Sequence, residues 1–189
     1  MPSIATNTIP FGLSTITIGE GVDALKLDGV NYFQSEGGEI NIEPELEDIT
    51  FQDFGSSPYD QRISGYTGEL KIVVGQNDLA LFQKLWSYHS EIVDAVDTQK
   101  VVGVTDAKIG QSMREKAVPV VIHPREMGSD TSLDIHIYKM AGTGAFNRTY
   151  ETAQGKYEVT LSMFMRDDAD PTKPGNFYYI GDTDPNAVA

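Results

Sequence analysis

Apolar and polar residues alternate in several short runs along this chain, and the clearest run is also the most acidic. From Glu39 to Glu43 (EINIE), Ile40 and Ile42 fall on one side of an extended strand and Glu39, Asn41 and Glu43 on the other. That is the period-two signature of a half-buried strand. Ile49 and Phe51 resume the alternation in the opposite phase, with Pro44 and the acidic run Glu45–Asp48 at the slip. A bulge or a strand break is expected there. Further on, Leu70, Ile72 and Val74 alternate with Glu69, Lys71 and Val73. Residues 39–54 and 59–74 therefore read as the two arms of one extended hairpin, with GSSPYD (55–60) at its turn.

Shorter patterns fill the rest of the chain. Leu13–Ile18 reads as a first strand, and ALKLDGVNYF (24–33) as a hairpin turning at Asp28-Gly29. Lys100–Val104 is a short strand candidate, and polar Thr105–Lys116 reads as a loop. Ala117–His123 is apolar and reads as a buried strand, with Pro119 placing it at an edge or a bulge. Ser132–Lys139 and Lys156–Arg166 alternate, and Phe177–Ile180 could dock as a final strand. One helix is expected, capped by Asn77 or Asp78, carrying Leu79, Phe82, Leu85 and Trp86 at helical spacing and ending near Ser90 at His89. The expected core includes Ile40, Ile42, Leu79, Phe82, Trp86 and Val121. About eight strands to one helix predicts a mainly β fold: an antiparallel sandwich or barrel with one flanking helix and a long extended hairpin. Residues 13–168 form the expected domain, after an N-terminal arm (1–12) and before a proline-rich C-terminal extension (169–189).

Composition adds a charge problem. The 189 residues carry a formal net charge of −14, with a pI near 4.4. Glu36, Glu39, Glu43, Glu45, Glu47, Asp48 and Asp53 account for half of that charge within one stretch that has no Lys or Arg. Attraction to a nucleic-acid backbone needs clustered basic residues, so binding of that kind is not expected. There is no cysteine, which excludes disulfides, thiolate metal sites and a cysteine nucleophile. No apolar run approaches the ~18 residues that would span a bilayer, so no membrane partner is expected. The first residues, MPSIATNTIPFG, lack the basic and apolar regions of a signal peptide, which points to synthesis and retention in the cytoplasm.

Enzyme chemistry finds little support. Glu43, Glu45, Glu47 and Asp48 are close in sequence, but they have no His, Arg or Tyr among them to set their ionisation apart. His89, His123 and His136 are scattered without a metal-binding spacing. No GxSxG elbow or phosphate loop occurs, and Gly19-Glu20-Gly21 reads as a turn. The acids Asp167, Asp168 and Asp170 read as a solvated loop. No catalytic residue, cofactor or metal is expected, and Trp86 with Phe82 reads as core.

The order of segments then matters. A strand and hairpin precede a long acidic hairpin; the helix DLALFQKLW follows, then AVPVVIHPRE, then DIHIYKMAGTGAFNRTYET and GKYEVTLSMFMRDDAD. Over residues 13–168 this order resembles the major tail tube proteins of long-tailed bacteriophages. The resemblance implies a β-sandwich-like fold without enzymatic activity. Six copies would form a ring, and rings would stack into the tail tube of a virion assembled in the host cytoplasm. Terminator, tape-measure and distal tail proteins would be its neighbours, and DNA would pass through the lumen without specific binding during ejection. A six-fold ring would carry a formal −84, six times −14. Acids on the lumen would repel phosphate; Glu39, Asn41, Glu43 and Glu158 are the expected lumen residues. The hairpin tip, with Phe54, Ser57, Tyr59 and Arg62, and the basic loop, with Lys108, Arg114 and Lys116, are the expected contacts between subunits or rings. Two alternatives stand beside this: a secretion-system tube protein, and a monomeric carbohydrate-binding sandwich using Tyr32, Tyr59, Tyr66, Tyr178 and Tyr179.

Overall fold

A computed structural model of the chain describes residues 12–148, 152 and 154–187. The fold is mainly β: ten strands and one short helix among the described residues. Eight strands form one sheet, in which β1 (Ser14–Ile18), β2 (Leu25–Leu27), β3 (Glu39–Thr50), β4 (Pro58–Val74), β7 (Val118–Pro124), β8 (Ile135–Gly142) and β9 (Tyr157–Phe164) follow the order β2-β1-β7-β8-β9-β4-β3. β10 (Tyr178–Ile180) pairs with the first half of β8 beyond the end of β9. A separate hairpin joins β5 (His89–Val93) to β6 (Val101–Asp106). Every pairing is antiparallel, as short connections between successive strands allow.

One face of the sheet is apolar and makes the core. Ile16, Ile18, Leu27, Leu70, Ile72, Val74, Val120, Ile137, Met140, Val159 and Leu161 are all at most 1% exposed. Ile40 and Ile42 are half-buried against this cluster, because β3 is the sheet's last strand and has a neighbour on one side only. Val121 faces the other way: Val120 and Ile122 are the buried residues of β7, one step out of phase with the expected core position. Pro119 is not at an edge. β7 lies between β1 and β8, and the register with β8 shifts between Val118 and Val120, so the proline sits at an irregularity where a missing N–H is tolerated.

The helix α1 spans only Leu79–Leu85, shorter than its periodicity suggests. Asp78 caps it, its side chain accepting from Ala80 N at 3.2 Å. Leu81 and Leu85, one turn apart, supply the buried face, while Leu79 is only half-buried. Trp86 is the C-cap, 1% exposed, stacked on Phe82 at 5.0 Å and edge-on to Phe146 and Tyr157. The helix stops because Ser87 N donates to Gly142 O (3.1 Å) and Gly142 N to Ser87 Oγ (2.9 Å), turning the chain into β5. His89 therefore opens a strand rather than closing a helix. Asp28-Gly29 also differs from expectation. Asp28 Oδ1 accepts from Val30 N and Asn31 N, and Gly29 takes φ 82°, but no strand follows; β2 pairs back onto β1.

The C-terminal extension packs on β8. Phe177 O accepts from Tyr138 N, Tyr138 Oη donates to Asp184 Oδ1 at 2.6 Å, and Asn186 Nδ2 donates to Tyr138 Oη and Gly175 O. Burial and the bond to Asp184 push the Tyr138 phenol up to about 12. Among the described residues no helix is long and apolar enough to cross a membrane.

Candidate functional site

Two surfaces stand out, and both belong to the β3–β4 hairpin. The first is the polar face of the sheet. In the antiparallel register Glu39 lies opposite Lys71, Asn41 opposite Glu69 and Glu43 opposite Thr67. Across the next pairing, Glu69 faces Ser162, Lys71 faces Thr160 and Val73 faces Glu158. Paired residues share a face, so Glu39, Asn41, Glu43 and Glu158 lie on one surface. The register adds Glu69 and Lys71 to it, two residues that strand alternation shows but that only cross-strand pairing ties to the other four. Lys71 Nζ donates to Glu69 Oε2 at 3.3 Å. That bond and the Glu69 charge, with Glu39 and Glu158 further off, hold the ammonium above its ordinary range. One cation among four carboxylates leaves the face acidic.

The second surface is the arm. β9 pairs with β4 only over Glu69–Val74, so among the described residues the outer half of β4 has β3 as its only strand partner. From Glu43 to Ser64 every residue except Ile49 is exposed. At ~3.3 Å per residue the arm projects about 25 Å beyond the sheet. β3 runs through Pro44 and Glu45–Asp48 without a break, and the expected bulge is in its partner: the register skips Ser64, whose Oγ donates to Glu45 O. A second irregularity skips Tyr59. The apolar residues consequently fall on both sides of the arm. Leu46 lies opposite Ile63, and the opposite phase of Ile49 follows from simple alternation along β3.

The tip is a short 3₁₀ turn, Gln52–Phe54, closed by Gly55 at φ 70°. Phe51 and Tyr59 meet edge to face at 5.0 Å. Phe54 and Tyr59 are each 74% exposed, and Ile63 58%. Ser57 stands in the tip turn, and Arg62 on β4 lies opposite Glu47.

The basic loop does not act as a unit. Arg114 donates to Asp167 Oδ1 and to Arg166 O, both at 3.0 Å, so its guanidinium is used within the chain. Lys139 shares Asp167 at 2.6 Å, and both cations hold that carboxyl below its ordinary range. Lys108 and Lys116 are exposed.

The remaining candidates are structural in their surroundings. Tyr32 donates to Asp78, Tyr59 is at the tip, Tyr66 packs on Phe177 and Tyr178, and Tyr179 stacks on His136 at 4.4 Å. The five tyrosines thus form no common platform. Among the described residues no group of three His, Asp or Glu is placed to hold a metal. His123 Nδ1 donates to Asp134 Oδ1 at 2.6 Å, and its Nε2 lies 3.1 Å from Gly128 O. The Asp134 side chain is only 7% exposed. His123→Leu is expected to cost about 3–5 kcal/mol, since it strands a buried carboxylate, and adding Asp134→Leu should recover much of it. Urea melts of both single variants and the double one check this; additive losses would mean that the pair is not coupled.

No protein-family model matches the chain, and no curated protein matches it.

Proposed function

We propose that the chain is a structural subunit that assembles with copies of itself into rings stacked as a tube, of the kind found in phage tails, and that the acidic face lines its channel. The observation that carries this reading is the arm: about 25 Å of paired strand on which Leu46, Phe51, Phe54, Tyr59 and Ile63 stay 47–74% exposed among the described residues. A folded monomer gains nothing from such a structure, and a copy beside it gains apolar burial.

The sheet edges support the same reading. β3 and β2 end the eight-stranded sheet, one at each side, each with a single strand neighbour. Open edges are a hazard in a monomer and a means of joining in an assembly. Pairing edge to edge around a ring would close the sheets into a barrel. Glu39, Glu43, Glu69 and Glu158 would then repel passing phosphates, so DNA slides rather than binds. Negative-stain electron microscopy of the purified chain, with its mass in solution, tests the proposal. Rings or tubes with a central hole support it; a 20.7 kDa monomer that persists on concentration argues against it.

Charge reversal tests the channel face separately. Glu39→Lys, Glu43→Lys and Glu158→Lys together change each copy by +6, three substitutions of +2. Assembly is expected to persist, because no described ion pair depends on these three carboxylates. The substituted assemblies should retain DNA at low salt and release it as salt rises. DNA that still fails to bind would remove the channel assignment.

A further inference from the structure

The arm's base holds a cleft that the arm's own tip is suited to fill. β4 is paired to β9 only from Glu69 on, and residues 165–178 run beside the part that β9 leaves. Between them lies a cleft of about 850 Å³. Ile63, Tyr66, Met165, Phe177 and Tyr178 line it, and Lys173 stands on its rim. Its floor is aromatic, with Tyr66 5.5 Å from Phe177. Met165 and Ile63 remain 49% and 58% exposed. The volume falls within the roughly 300–1,000 Å³ of clefts that bury a compact apolar group.

We infer that this cleft receives the Phe51–Tyr59 tip of a second copy of the chain. Three observations converge on that occupant. The tip presents Phe51, Phe54 and Tyr59 at 47–74% exposure, an apolar plug that no other described segment of its chain buries. The one charged residue within Phe51–Tyr59, Asp53, is acidic, whereas the one charged residue among the described residues lining the cleft is basic: Lys173, 69% exposed and only loosely paired to Asp170 at 3.6 Å. Finally, the plug cannot reach the cleft of its own chain. It stands at the far end of a paired strand that runs outward from Tyr66, and that pairing holds the strand extended. Plug and cleft are different patches, so each copy offers one of each, and the contact is head to tail: it runs on from copy to copy or closes by reciprocal exchange or as a ring. This inference rests on the self-assembly proposed above but does not require a tube.

The absence of cysteine permits a direct test on the full chain. Two single-cysteine variants, Ser57→Cys at the tip and Thr172→Cys at the cleft, are mixed and oxidised. A disulfide-linked heterodimer is expected. Ser57→Cys mixed with Val22→Cys, at a fully exposed site away from the cleft, should give little. Adding Met165→Glu to the Thr172→Cys chain sets a charge on the cleft floor, which should lower the yield about tenfold or more. Equal linking to Val22→Cys, or no loss with Met165→Glu, would overturn the inference. So would linking of Thr172→Cys within one chain to a cysteine at Ser3, which would make the chain's own N-terminal segment the occupant. Microscopy of the same samples separates the two claims. Tubes without the tip-to-cleft link would remove this inference and leave the tube reading standing; the link without tubes would do the reverse.

Discussion

Gly142→Ala is expected to destabilise the chain by about 3 kcal/mol or more, a loss of roughly 10 °C in melting temperature for a domain of this size. A Cβ at this position would fall within the Leu85 carbonyl group, 2.7 Å from its carbon and 3.1 Å from Trp86 Cα. Both obstacles are backbone, so no side chain can turn aside. The reciprocal bonds between Gly142 and Ser87 would stretch or break as the strand moved out. Those bonds fix the C-terminal end of α1, and Trp86, Phe82 and Tyr157 pack around the same corner. Gly155→Ala is the control: it has no heavy atom within 4 Å of the added carbon and should change stability by less than about 0.5 kcal/mol. Denaturant melts of the two variants decide the matter, and equal midpoints would show that the corner yields.

The same corner shows where the sequence stops being informative. Strand alternation is written in local order, and β3, the inner half of β4, β8 and β9 follow from it within a few residues. Helix length is not. The apolar spacing of Leu79, Phe82, Leu85 and Trp86 suits a longer helix, and it is a backbone bond to Gly142, 55 residues away by the Ser87 contact, that ends it. Gly142 and Gly144 read locally as turn residues; in the fold they admit close neighbours, the Leu85 carbonyl and the Thr160 side chain. Phase has the same limit. Ala117–His123 is legible as a buried strand, but in so uniformly apolar a run nothing local says that Val120 rather than Val121 points inward.

The candidate surfaces divide along a similar line. Glu39, Asn41 and Glu43 share a face by alternation alone, while Glu158 and Glu69 join them only through the β4–β9 register. The exposure of the arm is legible only in part. Exposed Glu and Asp are expected on any strand, but Leu46 and Ile63 sit at positions that a half-buried strand would cover, and they are 50% and 58% exposed because the sheet ends before reaching them. Arg114 shows the converse: a basic residue in a polar loop looks available until Asp167, 53 residues later, takes it up.

Excision of the arm is expected to leave the fold and abolish assembly. A chain in which Leu46–Ser64 is replaced by Asn-Gly keeps the paired part of the hairpin and joins Glu45 to Gly65 by a two-residue turn suited to antiparallel strands. None of the fully buried core residues lies in the removed segment. Melting should therefore shift by only a few degrees, and β signal by circular dichroism should fall only as far as the lost strand residues require. Association should change far more. Burying a Phe or Tyr contributes ~1.5–3 kcal/mol, and each copy would lose Phe51, Phe54 and Tyr59 from a contact repeated at every subunit. Even at a fraction of full burial, losing three such anchors weakens each step of association by several powers of ten. Sedimentation of the shortened chain should give a monomer at concentrations where the full chain forms large species. A shortened chain that still assembles would move the contact off the arm and onto the sheet edges alone, and one that unfolds would make the arm part of the fold's own support.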